Sequence, residues 1–171
     1  MLGWFPAGRI ERRIDTGALS ADRWRLDHDK TVEVPIATPQ NSLLICAHLA
    51  GSMQWRADLG SRVVTDPVLP GTCCIGLPDD SGTVQYGDAH ADFVHLHLDM
   101  KRMRALLLPD GIDFDAIEFI DPRNAADPEI DRIARQVVQI MPDGPTTRLR
   151  LDSAALALTA AMIERWSNLS P

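Results

Sequence analysis

The period of the apolar residues changes at Asp99, and no other feature of the sequence narrows the fold as much. Over residues 92–98, Asp92, Val94, Leu96 and Leu98 point one way and Phe93, His95 and His97 the other. A two-residue repeat marks a half-buried strand. Beyond Asp99, Met100, Met103 and Leu107 recur at three and four residues, the spacing of one helix face. The chain therefore reads as strands up to residue 98 and helices from residue 99. That is a mainly β fold with an α-helical C-terminal part, a barrel or sandwich carrying a helical appendage. Such segregation removes the alternating α/β folds of most nucleotide-binding enzymes.

Residues 1–30 are polar with scattered aromatics (Trp4, Phe5, Trp24) and read as an irregular or lightly stranded arm. Residues 31–36 form a strand ended by Pro39. Residues 42–50 form a strong strand, apolar on both faces and so buried on both. Gly51-Ser52 permits a bend or bulge before residues 53–57 continue extended. Asp58-Leu59-Gly60-Ser61 reads as a hairpin turn, with residues 62–65 returning. Residues 66–71 carry a second turn signal, followed by a strand at 72–77, a loop at 78–82, and strands at 83–86 and 91–98. Asp99 caps a first helix that ends near Pro109. Asp127-Pro128-Glu129 opens a second, with Ile130, Ile133, Ala134, Val137, Val138 and Met141 as its stripe, until the Pro142-Asp143-Gly144-Pro145 stop. Thr146 or Thr147 caps a last helix reaching about Ser167. Its Leu151, Ala155, Leu158, Met162 and Trp166 share a face, flanked by Ala154, Ala157 and Ala161.

With 171 residues, a single domain is expected: an arm and β part over residues 1–98 and a helical part over 99–171 packed on it. The net charge of −7 argues against a surface that grips nucleic-acid phosphates. The small basic groups Arg9, Arg12, Arg13 and Lys101, Arg102, Arg104 read as solvated faces. Cys46, Cys73 and Cys74 form an odd set with no C-x-x-C spacing and lie in apolar runs. They read as buried packing residues in a reducing, cytoplasmic compartment. No secretory signal is visible. The longest apolar stretch, residues 154–163, falls short of the roughly 20 residues that span a bilayer.

No phosphate-binding glycine loop, nucleophile elbow or His-Glu-x-x-His pair is present. His95-Leu96-His97 places two imidazoles on one strand face, as a metal site in a barrel needs, with His48 or His90 as a third ligand. The Val94/Leu96/Leu98 face is the more hydrophobic. The expectation is therefore that it faces the core and that His95 and His97 point away from it. No metal ligand and no cofactor is assigned on this basis. A small barrel also holds a ligand among inward side chains, and His48, Trp55, Tyr86 and Phe93 are the candidate effector-binding residues.

The order of these features resembles the N-terminal effector-binding and dimerisation domain of AraC/XylS-type bacterial transcription regulators, a cupin-like domain. It runs from LLICAHLAGSMQW at residues 43–55, through the Asp58–Gly60 turn, Leu69-Pro70-Gly71 before an apolar strand, and residues 93–98 leading into a helix. It ends with Asp127-Pro128-Glu129-Ile130 and LDSAALALTAAMIERW at residues 151–166. The resemblance spans about residues 30–168. It implies a cupin-like jelly-roll β-barrel followed by antiparallel helices, a small-molecule effector and a homodimer. Leu151, Ala154, Ala155, Leu158, Ala161, Met162 and Trp166 are the candidate dimer interface. DNA is then read only through a helix-turn-helix domain that these residues do not include. The rival reading is a metal-dependent cupin enzyme using His95 and His97. Against it, the histidine that cupin enzymes carry after Pro78 is replaced by Asp79, Asp80 and Ser81.

Overall fold

A computed structural model describes residues 8–15, 17–59, 63–141 and 147–169. Its frame is a pair of long antiparallel strands. The 17-residue Ser42–Asp58 (β4) and the 19-residue Ser81–Asp99 (β7) pair from Ser42↔Asp99 to Asp58↔Thr83. The other strands are Gly8–Asp15 (β1), Leu19–His28 (β2), Val32–Ala37 (β3), Val63–Val68 (β5), Thr72–Gly76 (β6) and the short Ala125–Ala126 (β8). All pairings are antiparallel, in the order β1-β2-β7-β4-β6-β8, with β3 added to β7 and β5 to β4. The helices are Met100–Leu107 (α1), Pro128–Ile140 (α2) and Thr147–Arg165 (α3).

The β4–β7 ladder bends in the middle. Its register shifts between His48 and Ala50 and again between Ser52 and Gln54, two bulges that bracket Gly51. Gly51 has φ of 76°, and a Cβ there would stand 1.8 Å from the His90 carbonyl oxygen. Only glycine fits both demands. On one side of the bend the ladder is flanked by β6, β2 and β1; on the other it carries β5 and β3. The inner faces of these two parts share one core. Trp24, Leu26, Cys46 and Phe93 come from one part, and Val34, Met53, Val68, Val84 and Tyr86 from the other.

The opposite face of the first part lies under the helices. Leu43, Ile45, Ala47, Val94, Leu96 and Leu98 pack with Ile130, Ile133, Val137, Leu151, Leu158 and Met162. Both faces of residues 42–50 are thus covered, as their composition implies. The helix boundaries also follow their local signals. The Asp99 carboxylate accepts from the Arg102 N–H at 3.0 Å. The Asp127 carboxylate accepts from the N–H groups of Glu129 and Ile130, with Pro128 in the first turn.

Several expectations need correction. Residues 8–28 are more than an irregular or lightly stranded arm. β2 pairs with β7 along its whole length and lies inside the sheet, because Leu19, Ala21, Trp24 and Leu26 find buried places on its two faces. Residues 66–68 extend β5 instead of opening a turn, and residues 81–99 form one strand despite Gly82, Gly87 and Asp88. Pairing to β4 holds these residues extended where local turn propensity would release them. The sheet is open: β1 and β8 end the path of paired strands, so a closed barrel is not what the described residues form. Trp4, Phe5, Gly60, Ser61, residues 142–145 and Thr146 lie outside the described residues. Among those described, no helix is long and apolar enough to cross a membrane.

Gly51→Ala is expected to destabilise the fold by roughly 2–5 kcal/mol, combining left-handed strain with a backbone clash. Gly71 also has positive φ, but nothing lies within 4 Å of its missing Cβ. Gly71→Ala should cost only about 1–2 kcal/mol. Urea denaturation of the two variants measures the difference.

Candidate ligand site in the sheet interior

The strand registers assemble a polar row across the inner face of the first part of the sheet. Cys74 on β6 lies opposite Cys46 on β4, Cys46 opposite His95 on β7, His95 opposite Asp22 on β2, and Asp22 opposite Arg13 on β1. Two residues along β4 from Cys46, on the same face, is His48, opposite Phe93. The Arg13 guanidinium donates to both Asp22 oxygens, at 2.5 and 2.9 Å, which closes the outer end of the row with a bidentate ion pair. His97 stands beside it, its Nε2 4.0 Å from Asp22 Oδ2.

Aromatic rings pack the histidines. The His95 ring centroid is 5.1 Å from Phe93, 6.0 Å from Trp24 and 6.1 Å from His97, and His48 is 5.8 Å from Phe93. Burial drives the His48 imidazole down to about 3. His95 also falls to about 3, through burial first and then the nearness of His97 and His48. Burial lowers His97 too, against the pull of Asp22. All three are therefore neutral imidazoles at neutral pH, able to donate through one ring nitrogen and accept through the other. The Cys46 thiol is pushed up by its hydrogen bond with Cys74 and then by burial, and burial pushes up the Tyr86 phenol.

Between the two parts of the sheet is a cavity of about 80 Å³, lined among others by Cys46, Trp55, Cys74, Tyr86 and His95. Trp55 and Tyr86 are direct cross-strand neighbours, and the indole hydrogen-bonds the phenol. The volume matches two or three waters at roughly 30 Å³ each.

The family model for the N-terminal domain of the regulatory protein PchR matches residues 18–171. The chain belongs to this family. It is accordingly an N-terminal domain of the AraC-type regulators. No curated protein sequence matches it. Solved structures with partial likeness include KdgF from Halomonas sp., with TM-score 0.43 and 14% identity over 56% of this chain and 82% of that one. Another is oxalate decarboxylase from Bacillus subtilis, with TM-score 0.40 and 14% identity over 58% of this chain and 30% of that one. The chain thus spans under a third of the decarboxylase, and likeness at this level decides nothing about reaction or substrate.

Within this PchR-type domain the candidate residues divide. Trp55 and Tyr86 line the cavity. His48 and Phe93 are buried beside it, against one another, and do not line it. His95 was expected to point away from the core, yet it lines the cavity. The Val94/Leu96/Leu98 face does meet a core, but it is the one under the helices, and the histidine face meets a second core. A single strand pattern cannot distinguish one buried face from two. Among the described residues, His95 and His97 are not part of any close group of three metal-ligand side chains. The apolar runs around Cys46 and Cys74 favour packing roles for both, and the sequence does not show their alignment with His48. Five separate strands supply the row, and only the i, i+2 spacing of Cys46 and His48 is visible locally.

The neutral histidines make stability fall with acid. Below about pH 6.5 the unfolded chain binds a proton on each imidazole, while folded His48 and His95 stay neutral to about 3. The folded state therefore loses about 1.4 kcal/mol per pH unit per histidine as pH drops through this window. His95→Gln should reduce the slope of unfolding free energy between pH 6 and 4 by about one proton. Urea titrations at several pH values check it, and an unchanged slope means that His95 protonates while folded.

Proposed function

We propose that the chain is a non-catalytic, effector-sensing domain of an AraC-type regulator, and that it works as a homodimer. DNA would be read by helix-turn-helix motifs outside these residues. The family match over residues 18–171 carries this reading. The cavity beneath Trp55 and Tyr86 supports it, since it supplies apolar walls with a few convergent polar groups. A small-molecule effector is its occupant in this reading.

The cavity of about 80 Å³ is well below the roughly 300 Å³ or more that drug-sized ligands occupy. A larger effector enters only as the two parts of the sheet separate. Binding is then coupled to the bend at Gly51 and to the strands on either side. An effector that prefers the opened arrangement shifts the population by its differential affinity. The moving part is thus the interlayer contact.

Self-association needs a surface other than the one first expected. Leu151, Ala154, Ala155, Leu158, Ala161, Met162 and Trp166 are each at most 8% exposed, because the sheet and α2 already cover them. The outer side of α3 keeps Leu149 at 70% and Leu156 at 40% exposed, two turns apart on one face. We assign the dimer contact to that face.

A compound that binds the interior should raise the melting temperature and perturb tryptophan emission. Trp55→Leu should weaken it by about tenfold or more, a loss of about 1.4 kcal/mol. Calorimetric titration of the two proteins measures the change, and equal affinities would place the effector elsewhere. In sedimentation velocity at micromolar concentration the chain should run as a dimer, and Leu149→Glu with Leu156→Glu as a monomer. A wild-type monomer at every concentration would remove the homodimer.

A further inference from the structure

We propose that Cys46, His48 and Cys74 form a binding site for one thiophilic d10 metal ion of the Zn²⁺ type. The site lies at the wall of the interior cavity and does not depend on the effector-sensing role.

The ligand atoms are already gathered. One donor atom from each of the three side chains lies within 4.8 Å of the other two. The Cys46 Sγ to His48 Nε2 distance is 3.6 Å. At zinc bond lengths of about 2.3 Å to sulfur and about 2.0–2.1 Å to nitrogen, tetrahedral angles set such a pair about 3.6 Å apart. The scaffold is stiff. Cys46 and His48 project from one face of β4, and Cys74 is fixed opposite Cys46 by the β4–β6 ladder. The remaining separations close by rotation of short side chains.

His48 is 3% exposed, and its Nε2 is the ring nitrogen set beside the Cys46 sulfur. A buried imidazole nitrogen whose near partner is a thiol sulfur makes only a weak hydrogen bond there. It is well suited to ligation, because the neutral ring presents a lone pair without first losing a proton. Access is available too. Cys74 is only partly buried, and both thiols line the cavity.

Two sulfurs and one imidazole nitrogen select zinc-type ions over hard cations, which prefer oxygen. On binding, the Cys46 and Cys74 thiols each release a proton to solvent, and His48 contributes its lone pair unchanged. Three protein ligands leave a fourth position for water or a small ligand. Cys73 provides an internal control. It faces the helical core, where its thiol contacts the Ala125 carbonyl oxygen at 3.5 Å.

The test uses the metal-free chain with all three thiols confirmed reduced, and Co²⁺ as a coloured substitute for Zn²⁺. One equivalent should give a thiolate-to-cobalt charge-transfer band with the visible bands of tetrahedral cobalt, displaced by one equivalent of Zn²⁺. About two protons should be released per ion. Cys74→Ser and Cys46→Ser should each weaken binding by about 100-fold or more, whereas Cys73→Ser leaves it unchanged. Should Cys46→Ser fail to fold, Cys74→Ser decides, because Cys74 is partly exposed. No sulfur band in the wild type overturns the proposal. So does a band that survives Cys74→Ser, or one that Cys73→Ser abolishes.

Discussion

The interior of this domain is organised by the ladder between β4 and β7. These strands pair over almost their full lengths, and every other strand except β1 and β8 adds directly to one of them. The bend at Gly51 turns one long ribbon into two packed parts, and a side chain there would collide with the His90 carbonyl. One backbone position thus sets both the shared core of Phe93 with Tyr86 and Val84 and the cavity between them. The opposite face of the ladder is left free for the helices. Two cores on either side of one sheet follow from a single pair of strands.

The polar row from Cys74 to Arg13 lies on the inner side of this sheet, where buried polar groups are costly unless paired. The outer end is satisfied by the two-pronged Arg13–Asp22 pair. The inner end relies on neutral imidazoles and thiols, groups that carry no charge at neutral pH and so tolerate burial. That chemistry leaves lone pairs and protons beside a small cavity.

Much of the fold was legible locally. The Asp99 and Asp127 caps rest on interactions within a few residues, and the apolar stripe from Ile130 to Val137 and the two apolar faces of residues 42–50 are patterns of local composition. The errors share one physical origin. Residues 66–68 and 87–88 carry turn signals, and β2 carries polar residues that read as an arm, yet pairing with distant strands outweighs these propensities. For the site, Trp55 and Tyr86 were recognisable as aromatic wall residues. The side on which His95 lies was not, because its strand is covered on both faces.

By itself the sequence determined where strands give way to helices and which residues cap the helices. Those properties depend on spacing and composition along the chain. Only the tertiary structure decided that the α3 stripe from Leu151 to Trp166 is covered from within. The same holds for the open sheet and for Cys46, His48 and Cys74 meeting at one place. The first depends on how α3 packs against α2 and the sheet, the other two on strand pairing, and both join segments far apart in sequence.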